Sequence, residues 1–355
     1  MYKGLTGGYK GYYYLWPYYI KLKEYADMEE RDIWEYELNL SSNEVYRMLL
    51  HIMELNDIYS NYFFIDENCS FNLFPLLEVA KPSLTLLSDY WGGNKYWVIP
   101  SDTVRIVYDQ KLVTSINYRP SLKTILNNYS FKIPDQLLDL AYALATKQNI
   151  DGELARVENL KIERQTDVLD AASKLVQYNY SKQKMSQYEF QDAIRRILKK
   201  KEDFNSVIRE ARTEIPNPPH EGHASSRISL GGGYKFDSPY SEIGWRPAYH
   251  DFTDPMDGYS LGNRLNFMDT VLRYYGKSAQ LKLHNLNLVD FLFLQNRTYF
   301  SKPLSWKLGI GFEQYDRFDE NDPLVFHLAF GSGLSWFNNS SGLFYGLVNI
   351  DFFGG

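Results

Sequence analysis

Three of the four residues from Pro216 to Pro219 are proline. No helix or central strand continues through such a run, because each proline fixes φ and lacks the N–H that either ladder needs. Ile215-Pro216-Asn217-Pro218-Pro219 therefore reads as an extended linker. It divides two stretches whose apolar residues repeat with different periods, and this change of period limits the fold to a helix-rich part followed by a β part.

Beyond the linker the period is two. Leu304, Trp306, Leu308, Ile310 and Phe312 alternate with Ser305, Lys307, Gly309, Gly311 and Glu313, and Leu324, Phe326, Leu328 and Phe330 continue in the same way to Leu334 and Trp336. Similar strands are drawn through Ser226–Lys235, Glu242–Asp251, Tyr259–Met268, Ala279–Leu288, Asp290–Tyr299 and Leu343–Phe352. One face is apolar and aromatic, the other carries Gly, Ser, Lys and Glu. A partial antiparallel β-barrel with lipid outside fits this pattern, and a soluble β-sandwich is the alternative. Strand length, ring content and small lumen-type residues favour the barrel.

Before the linker the period is mostly helical. Ser41-Ser42-Asn43-Glu44 has capping-box spacing, and Val45, Met48, Leu49, Ile52 and Met53 follow at helical intervals. Upstream, Asp32 to Leu38 alternates acidic and apolar residues as a half-buried strand would. Leu73, Leu76, Leu77 and Ala80 form a further stripe, in which Pro75 predicts a kink or a later start. From Pro134 to Lys201, stripes through Leu137–Ala141, Val168–Leu175 and Phe190–Ile197 predict helices of a polar connector packed on one side only, and Lys199–Lys201 reads as compensation of a helix dipole. The expected domains are 1–130, 131–215 and 216–355.

Cys69 is the single cysteine, so it forms no internal disulfide. It lies just ahead of the Leu73 stripe, where the free N–H groups of a helix start favour thiolate, making Cys69 the candidate catalytic nucleophile. The bland alternative is a small buried hydrophobe. A net charge of −6 gives no electrostatic footprint for nucleic acid. Aromatics reach 16%, which suits a membrane interface or a carbohydrate surface, and mean hydropathy is −0.42 without a long apolar run.

Arg31 to Leu38, His51 to Glu54, Tyr62-Phe63-Phe64, Asp66-Glu67-Asn68-Cys69-Ser70, Ala80-Lys81-Pro82 and Tyr118-Arg119-Pro120-Ser121 together resemble the Lnb N-terminal periplasmic domain family, over roughly residues 1 to 210. The resemblance implies an α+β, circularly permuted papain-like thiol fold with Cys69 as nucleophile, followed by a barrel-type domain. It further implies a periplasmic or outer-membrane setting, contact with outer-membrane lipid through the C-terminal half, and acyl transfer or hydrolysis on lipoproteins or peptide-like groups. A non-catalytic binding or scaffold protein is the alternative. The family's histidine block precedes the cysteine, and the chain starts after that block would end, so the catalytic histidine is expected upstream of Met1. His51, among Leu49, Leu50 and Ile52, reads as a packing or hydrogen-bonding residue.

No cofactor or metal is expected. His220 and His223 are three apart around Glu221, but they lie in the linker without a third ligand in sequence. Gly231–Gly233 leads into no helix, which removes a phosphate-loop reading. Asp316, Asp319, Glu320 and Asp322 read as a solvated loop.

Overall fold

The computed structural model describes residues 8–63, 68–92, 97–146, 150–203, 213–235, 238–315, 323–338 and 342–355. The half before the linker is α+β. Strand β1 (Tyr9–Gly11) leads to α1 (Tyr18–Leu22), which runs on as a π-helical turn to Met28. Strand β2 (Ile33–Leu38) is the acidic–apolar alternation, and it precedes α2 (Ser42–Glu54). The capping box forms as read: the Glu44 N–H donates to the Ser41 hydroxyl at 3.4 Å, and the Ser41 N–H donates to the Glu44 carboxylate at 2.7 Å. Strand β3 (Ser60–Tyr62) pairs with β1, and β4 (Val113–Arg119) pairs with β2, both antiparallel.

Helices α3 (Leu73–Ala80), α4 (Leu86–Gly92) and α5 (Pro100–Asp109) enclose a first core of Phe74, Leu77, Leu86, Tyr90, Val98 and Leu112. Pro75 sits in the first turn of α3, where its missing N–H would have had no intrahelical partner, so the helix starts at Leu73 despite it.

Helices α6 (Leu122–Lys132), α7 (Asp135–Thr146), α8 (Ile150–Glu158), α9 (Ile162–Ser181) and α10 (Gln187–Asp203) build the larger core. The expectation of a connector packed on one side fails. Val168, Leu169, Ala171, Ala172, Leu175 and Val176 of α9 are all buried, and so are Gln165, Asp170 and Ser173, so α9 is enclosed nearly all round. Its alanines let neighbouring helices approach closely, and its buried polar groups made it look amphipathic. Lys200 and Lys201 of the basic run pair with Glu158 and Asp170 rather than only facing the helix end. Among the described residues no helix is long and apolar enough to cross a membrane.

The half after the linker is one eight-stranded antiparallel sheet: β5 (Arg227–Lys235), β6 (Ser238–Arg246), β7 (Ala248–His250), β8 (Asn263–Tyr275), β9 (Gln280–Phe293), β10 (Ser305–Gln314), β11 (Leu324–Asn338) and β12 (Gly342–Gly354). The order is β12-β11-β10-β9-β8-β6-β5, with β7 paired to β8. β5 and β12 are the edges and do not pair with each other, so the sheet stays open where a barrel would close. Several boundaries differ from the expected ones. The strand drawn through Glu242–Asp251 is two, β6 from Ser238 and the short β7, parted at Pro247, which has no N–H for a ladder. β8 continues through Tyr275, and β9 is a single strand where two were drawn, because register shifts at Val271/Leu272 and Ile310/Gly311 break the strict alternation. Residues 294–304 form a loop instead, which docks on the helical core through Thr298 to Asn127 (2.8 Å), Tyr299 to Asp139, and the Phe300 ring.

Cross-strand register aligns the apolar residues on one face: Leu230 opposite Ile243, Ile243 opposite Leu272, Leu308 between Phe291 and Phe330, and Phe330 opposite Ile350. That face is open on the edge strands, with Leu230 82% and Val348 78% exposed, and is covered in the middle, where Phe291 is buried. Trp306 is exposed; Leu308, Ile310 and Phe312 are partly covered, while Gly309 and Gly311 between them are buried. The opposite face is polar and largely closed, with Arg273 on Glu242, Arg264 on Asp290 and His327 on Asp351. A Cβ at Gly333 would stand 1.9 Å from the Gly346 carbonyl oxygen, so only glycine permits that strand approach. No strand of this sheet contributes to either apolar core among the described residues, which sets the soluble-sandwich alternative aside.

Glu30 ties the segment after α1 to the helical core. Lys123 and Lys182 each contact its carboxylate at 2.8 Å, and the Tyr178 hydroxyl donates to it at 2.8 Å. Burial alone would raise this carboxyl, but the bonds from Lys123, Lys182 and Tyr178 outweigh burial and hold it down at about 2. The folded value is depressed from 4.5, so its contribution is present above about 4.5 and is lost as pH falls toward 2. Urea midpoints should therefore fall over this window more for wild type than for Glu30→Gln. Parallel curves would remove Glu30 from the acid response.

Candidate functional site

The turn that carries Cys69 is wound around Asn68. The Asn68 side chain is buried, and its amide donates to the Val98 carbonyl at 2.8 Å. Its Oδ1 accepts from the Ser70 N–H (3.1 Å), the Ser70 hydroxyl (2.8 Å) and the Phe71 N–H (3.3 Å), while its carbonyl accepts from the Asn72 N–H at 3.2 Å. Phe71 drops into the first core against Tyr90 and Trp91, with ring centroids 6.4 and 5.6 Å away. Held from below in this way, the turn presents Cys69 outward, four residues before α3 begins. The thiol is exposed, so the small-buried-hydrophobe alternative does not hold. Asp66 and Glu67 of the same block lie outside the described residues.

Two tyrosines border the turn. The Tyr13 hydroxyl donates to the Asn72 carbonyl at 3.2 Å, and burial raises its pKa. Tyr62 is also raised, by burial first and by the neighbouring Cys69 second. The backbone N–H groups of Ser70, Phe71 and Asn72 are taken by Asn68, so an oxyanion at this turn would need other donors. His51 pairs with Glu54 at 3.1 Å on the exposed side of α2.

The two linker histidines part company. His220, in the 3-10 turn Pro219–Glu221, is buried against Tyr36 and Tyr108, with Nδ1 3.1 Å from the Tyr36 hydroxyl and a ring-centroid distance of 4.1 Å to Tyr108. Burial lowers its pKa. The linker is docked rather than loose. Arg105 of α5 donates to the carbonyls of His220 (3.3 Å), Gly222 (2.9 Å) and His223 (3.0 Å). Its remaining nitrogen donates to buried Asp102 at 2.6 Å, whose other oxygen accepts from the Ser225 hydroxyl at 2.6 Å.

His223 faces the sheet instead. Its Nε2 lies 2.8 Å from Nδ1 of His250 in β7, and its Nδ1 lies 2.6 Å from the Ala224 carbonyl oxygen. Tyr259 stacks on both imidazoles at 4.2 and 4.3 Å. Beside them Asp254 pairs with Arg246 (2.6 Å) and Arg227 (2.8 Å) and accepts from the Asp251 N–H (2.8 Å). Burial raises the Asp254 carboxyl, but the bonds from Arg246 and the Asp251 N–H outweigh it and leave it below its ordinary value. Burial first, then His223, pushes His250 down. Sequence reasoning singled out neither His250, Asp254 nor Tyr259. The one signal was the density of Arg, His and Asp between Arg246 and Asp254. Gly231–Gly233 lies within β5, and the Asp316–Asp322 loop lies outside the described residues.

If Asn68 is what holds the Cys69 turn, Asn68→Ala strands a buried carbonyl and several N–H groups. The loss should be about 1–3 kcal/mol in chemical denaturation. Cys69 should react fully with a thiol reagent in both native proteins. A native wild type that resists the reagent would contradict the exposed placement.

Residues 1–110 match the model of the Lnb N-terminal periplasmic domain family. Residues 116–202 match a domain of unknown function (DUF7842), and residues 216–354 match another (DUF7840). The resemblance read to residue 210 thus stops at 110, and the helical body falls under a separate family model. No curated protein and no solved structure matches the chain. Over residues 1–110, the stretch that holds the Cys69 turn, the chain is similar to the Lnb N-terminal periplasmic domain family.

Proposed function

We propose that this chain works in a Gram-negative envelope as a thiol enzyme on acyl groups of lipoprotein or peptide-like substrates, with its sheet set against outer-membrane lipid. The match of residues 1–110 to a periplasmic domain family supports the envelope setting. The observation that carries the membrane part is the inverted burial of the sheet. Ile228, Leu230, Val348, Ile350 and Phe352 are open, while Arg246, Arg273 and Asn266 are nearly inaccessible. Soluble monomers rarely expose a continuous apolar surface across so many strands, whereas lipid-facing sheets carry apolar residues outside and polar ones inside.

For the thiol part, the support is an exposed Cys69 on a turn fixed by buried Asn68. In acyl transfer the thiolate adds to the substrate carbonyl, expels the amine or alcohol and forms a thioester, which a second nucleophile then cleaves. The neighbouring groups also favour the second reading, a binding or scaffold role. His51 is engaged with Glu54, and three N–H groups of the turn are engaged with Asn68.

Two measurements separate these readings. A labelled acyl donor should leave a hydroxylamine-sensitive label on wild type and none on Cys69→Ser. Absence of label on a chain whose thiol still takes a maleimide favours the scaffold. Flotation with phosphatidylethanolamine–phosphatidylglycerol vesicles should capture wild type and release the folded triple variant Leu230→Asp, Val348→Asp, Ile350→Asp. Equal flotation of both would sink the lipid-facing assignment.

A further inference from the structure

The seam between linker and sheet gathers a donor set that neither the thiol reading nor the membrane reading uses. His223, His250 and Asp254 each offer a ligand atom, and the three atoms lie within 4.8 Å of one another. His223 Nε2 stands 2.8 Å from His250 Nδ1 and 3.8 Å from Asp254 Oδ2. Donors about 2.0–2.2 Å from a tetrahedral ion are separated by about 3.3–3.6 Å, which falls between those two spacings. We infer that His223, His250 and Asp254 form a binding site for a divalent ion of the zinc class, with the two imidazoles as its principal ligands and a fourth position open.

The surroundings argue for this use. The His223 Nδ1 proton belongs to the Ala224 carbonyl at 2.6 Å, which leaves the Nε2 lone pair aimed at the trio. A backbone carbonyl on the far nitrogen is the usual way to orient a metal-bound imidazole. Tyr259 lies parallel to the His250 ring, with 4° between their planes, and donates its hydroxyl to the His223 carbonyl at 2.9 Å. Both ligand rings are therefore fixed before an ion arrives.

The arginines decide which ion. Asp254 already serves Arg227, Arg246 and the Asp251 N–H, so little of its charge is left for a further cation. Hard ions that need several carboxylate oxygens, such as magnesium and calcium, gain little here, whereas ions that favour imidazole do. The histidines should accordingly matter more than the carboxylate.

The test is calorimetric titration of the full chain, stripped by a chelator, with zinc chloride and in parallel with magnesium chloride. One equivalent of zinc should bind saturably, and magnesium should not. His223→Gln and His250→Gln should each weaken zinc about 100-fold, and Asp254→Asn about 10-fold. His250 is enclosed, so its variant carries weight only if circular dichroism matches wild type; the His223 side chain is 14% exposed and carries the test otherwise. Zinc should also raise the melting temperature of wild type and not that of His223→Gln. The inference is overturned by zinc binding that is not saturable, or by a folded His223→Gln that binds zinc as wild type does.

Discussion

Arg105 uses its whole guanidinium at one place. Three carbonyls of the linker and the buried carboxylate of Asp102 converge on it, and Ser225 at the start of the sheet half closes the other side of that carboxylate. Five-donor planar geometry suits such a cluster in a way a lysine could not. Removing one member of a buried charge pair costs about 3–5 kcal/mol, because the other charge is left without compensation. Both histidine placements depend on this clasp: His220 is pressed onto Tyr36 and Tyr108, and His223 is turned toward His250.

The hydrophobic effect is distributed unevenly through the chain. The helices hold two apolar cores, and the larger surrounds α9. The sheet holds none, and its cohesion lies in ladder hydrogen bonds and in charge pairs on the closed face. In water the apolar residues of its edge strands gain little from burial, although Phe291 in the middle of the sheet is covered. Among the described residues its two edges, β5 and β12, have no strand partner on their outer side, a further liability since free strand edges seek partners.

Much of this was legible in residue spacing. The Pro216–Pro219 break, the Ser41–Glu44 capping box, the alternation around Trp306–Phe312 and the place of Cys69 ahead of a helix all follow from local rules. What stayed hidden was non-local. Gln165, Asp170 and Ser173 made α9 look one-sided, although tertiary packing buries them. The single strand β9 was split because a register shift breaks its period. His223 met its partners only when β7 folded back along β8, which no spacing within the linker could announce.

The strand order has a kinetic meaning. From β8 through β12 every strand pairs with its neighbour in sequence, so each ladder closes only a hairpin-sized loop. Loop-closure entropy is small for such steps, and folding rate rises as contacts become more local. The sheet is therefore built to grow by successive hairpins, each new strand zipping onto the last. The contacts that span long stretches of chain, Arg105 with the linker and Thr298 with Asn127, carry the larger loop-closure cost and tie the hairpins to the helices.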